Sequence, residues 1–93
     1  MPVEFAIKQN YPNPFNPSTT IEYDLAENST VRLLVFNILG QEVAQLVNGV
    51  QAAGSYKVSV NASNMTSGIY IFKIEASYGS KKFVETRRMM LLK

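Results

Sequence analysis

Ninety-three residues, 46% of them apolar, make a single domain with a modest core. Without cysteine no disulfide framework can help, so that core must supply almost all of a stability of about 5–14 kcal/mol. Histidine is absent too, which removes the commonest general base, the commonest metal ligands and the thiol nucleophile together and speaks against an enzyme.

The net charge of +2 hides an asymmetry. Residues 1–72 hold three cations and five carboxylates, for −2, whereas residues 73–93 hold six cations and two carboxylates, for +4. Such a tail either faces an acidic lipid, nucleic acid or protein, or is a solvated strand face that Lys and Arg protect from aggregation. No stretch reaches the roughly 18 apolar residues of a membrane helix. Met1 to Glu4 has neither a basic leader nor an apolar run, so no signal peptide is expected there.

Residues 1–18 form a proline-rich segment preceding a β-sandwich at 19–93, the whole making one domain. In Asn10-Tyr11-Pro12-Asn13-Pro14-Phe15-Asn16-Pro17-Ser18 each proline fixes its own φ and biases its predecessor toward extended geometry, excluding a helix or a central strand. Tyr11 and Phe15 either plug one end of the sandwich or lie exposed as a binding platform. From Thr19 the period is two: Ile21, Tyr23 and Leu25 alternate with Thr20, Glu22 and Asp24. Val31, Leu33 and Val35 mark a second, more deeply buried strand. After Asn37-Ile38-Leu39-Gly40 the pattern weakens over Gln41 to Val47, where Val43, Leu46 and Val47 also fit a short helix. Asn48 to Gly54 reads as a turn or hairpin loop. Tyr56, Val58 and Val60 begin another strand, and Tyr70, Phe72, Ile74 and Ala76 share one face of the next. Tyr78-Gly79-Ser80 is a tight connection into Lys81 to Leu92. Six or seven short strands with Gly and Asn turns predict an all-β, antiparallel, immunoglobulin-like sandwich, although the Cys pair and Trp of true immunoglobulin domains are missing.

Chemistry-bearing patterns are scarce. Glu22 and Asp24 share the outward parity of one strand, and Glu27-Asn28-Ser29 lacks the spaced acidic ladder of a Ca²⁺ loop, so neither metal nor cofactor is expected. Gly40, Gly54, Gly68 and Gly79 stand singly between candidate strands, where left-handed backbone is expected rather than a phosphate loop. Gly54-Ser55-Tyr56 and Gly68-Ile69-Tyr70 each place Gly two residues before an aromatic, a device for delivering a ring to the inner face. Tyr56 and Tyr70 are therefore expected to be buried.

The motifs together resemble the type A C-terminal sorting domain of proteins exported by the type IX secretion system of Bacteroidetes-group bacteria. The residues are Gln9 to Pro17 with Ser18-Thr19-Thr20-Ile21, Val35 to Val43, Gly54-Ser55-Tyr56, Ser67-Gly68-Ile69-Tyr70, and the ending Arg88-Met89-Met90-Leu91-Leu92-Lys93. The structural motif residues within them are Pro12, Pro14, Phe15, Gly40, Gly54, Tyr56, Gly68 and Tyr70. Phe36 stands where the family often has Tyr, and Val60 near its Trp. Related sequences also occur as immunoglobulin-like domains of flagellar hook-capping proteins.

The resemblance implies the last part of a larger exported protein, which reaches the periplasm and then the cell surface or medium. A secretion translocon and its outer-membrane shuttle protein would recognise the domain. A surface sortase would then cleave before it and join the cargo to anionic lipopolysaccharide. Neither nucleic-acid binding nor direct membrane insertion is implied. The recognition element is expected in the closing strand, at Lys81, Lys82, Arg87, Arg88, Met89, Met90, Leu91, Leu92 and Lys93, where a sheet edge offers unpaired backbone. The competing expectation is that Met89 and Leu91 merely complete the core. Two other functions fit the composition: a carbohydrate-binding module stacking sugars on Tyr11, Phe15, Tyr78 or Phe83, and a passive spacer.

Overall fold

Period-two alternation along most of the chain leaves each strand one apolar face, and two sheets pressed face to face bury all of those faces together. The computed structural model describes residues 3–93, so residues 1 and 2 of the proline-rich segment lie outside the described residues. The described residues form seven strands: β1 (Ala6–Ile7), β2 (Ser18–Leu25), β3 (Ser29–Asn37), β4 (Glu42–Gln51), β5 (Gly54–Asn61), β6 (Gly68–Tyr78) and β7 (Lys81–Leu91). They form a three-stranded sheet in the order β1-β2-β5 and a four-stranded sheet in the order β4-β3-β6-β7, with every strand pair antiparallel. The all-β sandwich expected from the periodicity is the observed architecture.

The core takes Ile21, Tyr23, Leu25 and Val60 from the smaller sheet and Val31, Leu33, Val35, Phe72, Ile74, Met89 and Leu91 from the larger one. Ile7 and Phe15 of the proline-rich segment join them. Tyr23 lies wholly inside, its ring stacked on Tyr56 at 5.3 Å and its hydroxyl satisfied by Gln51. No buried side-chain N or O among the described residues lacks a hydrogen-bond partner. A small domain without disulfides depends on such completeness, because one orphaned polar group costs about 1–3 kcal/mol.

One open alternative is resolved and two expectations need correction. Glu42 to Val47 is strand, not the short helix its spacing also fits: the ladder shifts between Leu33 and Leu34 and again between Val35 and Phe36, leaving Leu46 and Val43 as extra residues opposite β3. Each extra residue resets the alternation, so the apolar positions of β4 drift into a spacing that mimics a helical turn. The expected loop at Asn48 to Gly54 shrinks to Ala52–Ala53, because β4 continues through Gly49 to Gln51 against Ser29 to Val31. The Asn28 side-chain oxygen accepts the Ala53 N–H at 2.9 Å and holds that short crossing between the sheets. Tyr56 is only half-buried, because β5 is an edge strand and the ring lies over Tyr23 rather than beneath it; Tyr70 is buried as expected.

Gly40 (φ +82°) and Gly79 (φ +58°) occupy the left-handed turns that close the β3–β4 and β6–β7 hairpins. Gly54 and Gly68 instead open β5 and β6, each at φ +153°. The β3–β4 turn is held by Asn37, whose side-chain oxygen accepts the N–H groups of Leu39 and Gln41.

These burials predict unequal costs for the two tyrosines. Tyr70→Ala should lose about 3–5 kcal/mol in urea denaturation, as for other buried aromatics, while Tyr56→Ala should lose less than half as much.

Candidate recognition surface

Strand β7 is the outer strand of the larger sheet, as a closing strand carrying Lys and Arg is expected to be. Of its odd-numbered residues Met89 and Leu91 are buried and Phe83 and Glu85 half-buried, while Lys81 and Arg87 are exposed; its even-numbered residues, Met90 included, face out, as does Leu92 just past the strand. The expected recognition residues thus divide. Lys81, Lys82, Arg88, Met90 and Leu92 are on the surface, whereas Met89 and Leu91 complete the core. Arg87 is held at the side of the sandwich, its Nε donating to the Ile7 carbonyl at 2.9 Å and Nη2 meeting Glu85 Oε2 at 3.0 Å. Lys93 turns back onto the loop before β6, its backbone N–H donating to Ser67 Oγ and its Nζ to the Ser63 carbonyl.

The proline-rich segment lies along the far half of β7. Phe15 pairs with Leu91 in parallel: its N–H donates to the Met90 carbonyl at 2.9 Å, and its carbonyl accepts the Leu92 N–H at 3.0 Å. Asn13 Oδ1 accepts the Met90 N–H at 2.9 Å, and Gln9 Nε2 donates to the Arg88 carbonyl at 2.7 Å. The edge from Arg88 to Leu92 is therefore already occupied from within the chain. Buried Asn10 holds the segment's bend by donating to Thr19 Oγ1 at 2.9 Å and to the Pro12 carbonyl at 3.2 Å.

Of the two possible plugs, Phe15 fills the core at 2% exposure, while Tyr11 stays 46% exposed and bridges Thr20 through its backbone. Hydrogen bonding to Glu22 raises the Tyr11 phenol pKa above its ordinary value. Tyr78 and Phe83 stack on Phe5 at 4.4 and 5.4 Å, so with Phe15 buried the four aromatics considered for sugar stacking do not assemble into one platform.

Two further features frame β7 on the outer face of the larger sheet. Glu75 Oε2 meets Lys73 Nζ at 2.9 Å and its Oε1 meets Arg32 Nη1 at 3.3 Å, with Lys82 Nζ at 3.8 Å, so three cations surround one carboxylate. The Lys73 hydrogen bond, reinforced by the other cations, holds that carboxyl below its ordinary value of 4.5. Toward the proline-rich segment, Ile69, Ile71, Thr86, Arg88 and Met90 floor a groove of about 740 Å³ whose rim includes Gln9 and Asn13. Isolated sequence windows give no sign of Gln9, Asn13, Ile69 or Ile71 as surface-defining residues, since Gln9 and Asn13 act through pairings 79 and 77 positions away and the two isoleucines through a face shared across strands.

The ordered motifs distributed over these elements are diagnostic. The model of the secretion system C-terminal sorting domain family matches residues 9–86, from the proline-rich segment into β7. The chain belongs to this family. It is thereby a type IX secretion C-terminal sorting domain, part of an exported protein and a participant in that secretion machinery. No curated protein matches the chain. In this sorting domain the matched region contains the proline-rich segment from Gln9 onward and the first part of β7, Lys81 to Thr86.

Two measurements follow for the sorting domain. Phe15→Ala should cost about 3–5 kcal/mol in urea denaturation and release the proline-rich segment, whereas Tyr11→Ala should cost less than about 1 kcal/mol. The depressed Glu75 carboxyl contributes stability above pH 4.5 that fades as pH falls through its lowered folded value. Glu75→Gln should therefore melt below the parent at pH 7, with the difference closing as the pH falls below that lowered value.

Proposed function

We propose that this sorting domain is the address of a larger cargo protein and performs no reaction of its own. The translocon and its shuttle protein recognise it as a folded unit in the periplasm. A surface sortase then cleaves before it, leaving the cargo at the cell surface or in the medium. The observation that carries this reading is the family match over residues 9–86. The geometry adds support: Phe15 of the proline-rich segment bonds on either side of Leu91, so segment and closing strand offer a folded surface rather than a loose peptide. A chain without His or Cys is also poorly equipped for catalysis.

The test fuses the 93-residue chain to the C-terminus of a periplasm-directed fluorescent protein in a type IX-competent bacterium and in an isogenic strain lacking the translocon. Export to the surface or medium is expected only in the competent strain, with the domain missing from the released reporter. Retention in the periplasm of both strains would refute the address function. Release with the domain still attached would refute the cleavage step alone.

A further inference from the structure

The covered and open halves of β7 differ in a way that names a partner. Because β6 and β7 pair without a register break, and Met90 directs both its N–H and its carbonyl away from β6, alternation directs those of Lys82, Val84 and Thr86 away as well. Among the described residues no hydrogen bond reaches any of these six groups. The proline-rich segment satisfies the edge only from Arg88 onward. What remains is a strand-length row of unpaired backbone beside β7's solvent face.

The side chains flanking this row select what can pair with it. On the outer face Lys82 and Arg88 bracket Val84 and Thr86, and Arg32 and Lys73 lie beyond them with Glu75 as the neighbouring carboxylate. A second copy docking β7 to β7 would bring these cations against one another, which disfavours self-pairing. A strand bearing carboxylates on that face would instead gain opposite-charge cross-strand pairs. Val84, 48% exposed, and the groove floored by Ile69, Ile71 and Met90 offer apolar contact on the same side.

We propose that the open edge of β7, Lys82 to Thr86, binds an extended acidic segment of a partner protein as a fifth strand of the larger sheet, with an apolar side chain of that segment seated in the adjoining groove. Backbone pairing supplies the attachment, and the cations supply the choice of partner. The inference deepens the sorting function and takes its biological meaning from it, while the binding itself is measurable on the isolated domain.

The probe is a capped octapeptide alternating threonine with glutamate and valine, with a counterpart carrying lysine for glutamate. Amide exchange followed by NMR should show Lys82, Val84 and Thr86 slowing at least about tenfold on saturation with the acidic peptide, and no change with the basic one. Val84→Pro removes one outward N–H at an edge position where proline is tolerated. It should keep the melting curve while weakening binding at least about tenfold. Lys82→Glu, which leaves the backbone intact, should weaken binding of the acidic peptide similarly, so the proposal stays testable if the proline variant unfolds. Absence of binding at millimolar peptide, binding that leaves these three amides unprotected, or unchanged affinity in Lys82→Glu would each overturn the proposal. In the secretion assay, export of a folded Val84→Pro or Lys82→Glu fusion at the parental level would sink this edge as the export contact while leaving the address function standing. Retention of the parental fusion would instead sink the address function, whatever the peptide does.

Discussion

Phe15 ties the beginning of this chain to its end. Its ring occupies the core and its backbone groups bond on either side of Leu91, so one residue contributes both burial and two ladder hydrogen bonds. Everything at that end of the sandwich depends on the tie. It covers the backbone edge of β7 past Arg88, it brings Asn13 and Gln9 within reach of that strand, and it encloses the rim of the outer-face groove. In a domain without disulfides, a contact spanning 76 positions restricts the relative motion of the termini by packing alone.

The same tie partitions the surface chemically. Apolar residues at the end of the chain, which sequence alone leaves as candidates for a partner, are divided by parity: Met89 and Leu91 go inward, Met90 and Leu92 outward. The basic residues are divided by engagement. Arg87 and Lys93 bond to backbone carbonyls within the domain, Lys82 joins Lys73 and Arg32 around Glu75, and Arg88 stands at the groove. A charge excess of +4 over residues 73–93 therefore does not act as one undifferentiated patch.

For a sorting domain, a surface preformed in this way is useful because it would lose little conformational entropy on binding a partner. Covering the far half of the terminal edge also limits the backbone open to indiscriminate pairing, and lysine on the remaining stretch discourages like from joining like. Selectivity then rests on which strand tolerates the cations.

The period-two runs of Ile21 to Leu25, Val31 to Val35 and Tyr70 to Ala76 determined the β class and the inward faces, because alternation is a local property that any sandwich must satisfy. The order of motifs along the chain likewise identified the family without a structure. Local pattern left β4 open between strand and short helix, because two irregularities reset the parity around Val43 and Leu46, and it could not rank Phe15 above Tyr11, since both are aromatics in the same proline-rich run. Only the tertiary structure decided which part of β7 is open. That depends on where a segment near residue 15 meets a strand ending at residue 91, and backbone pairing across such a separation leaves no mark in either segment's own sequence.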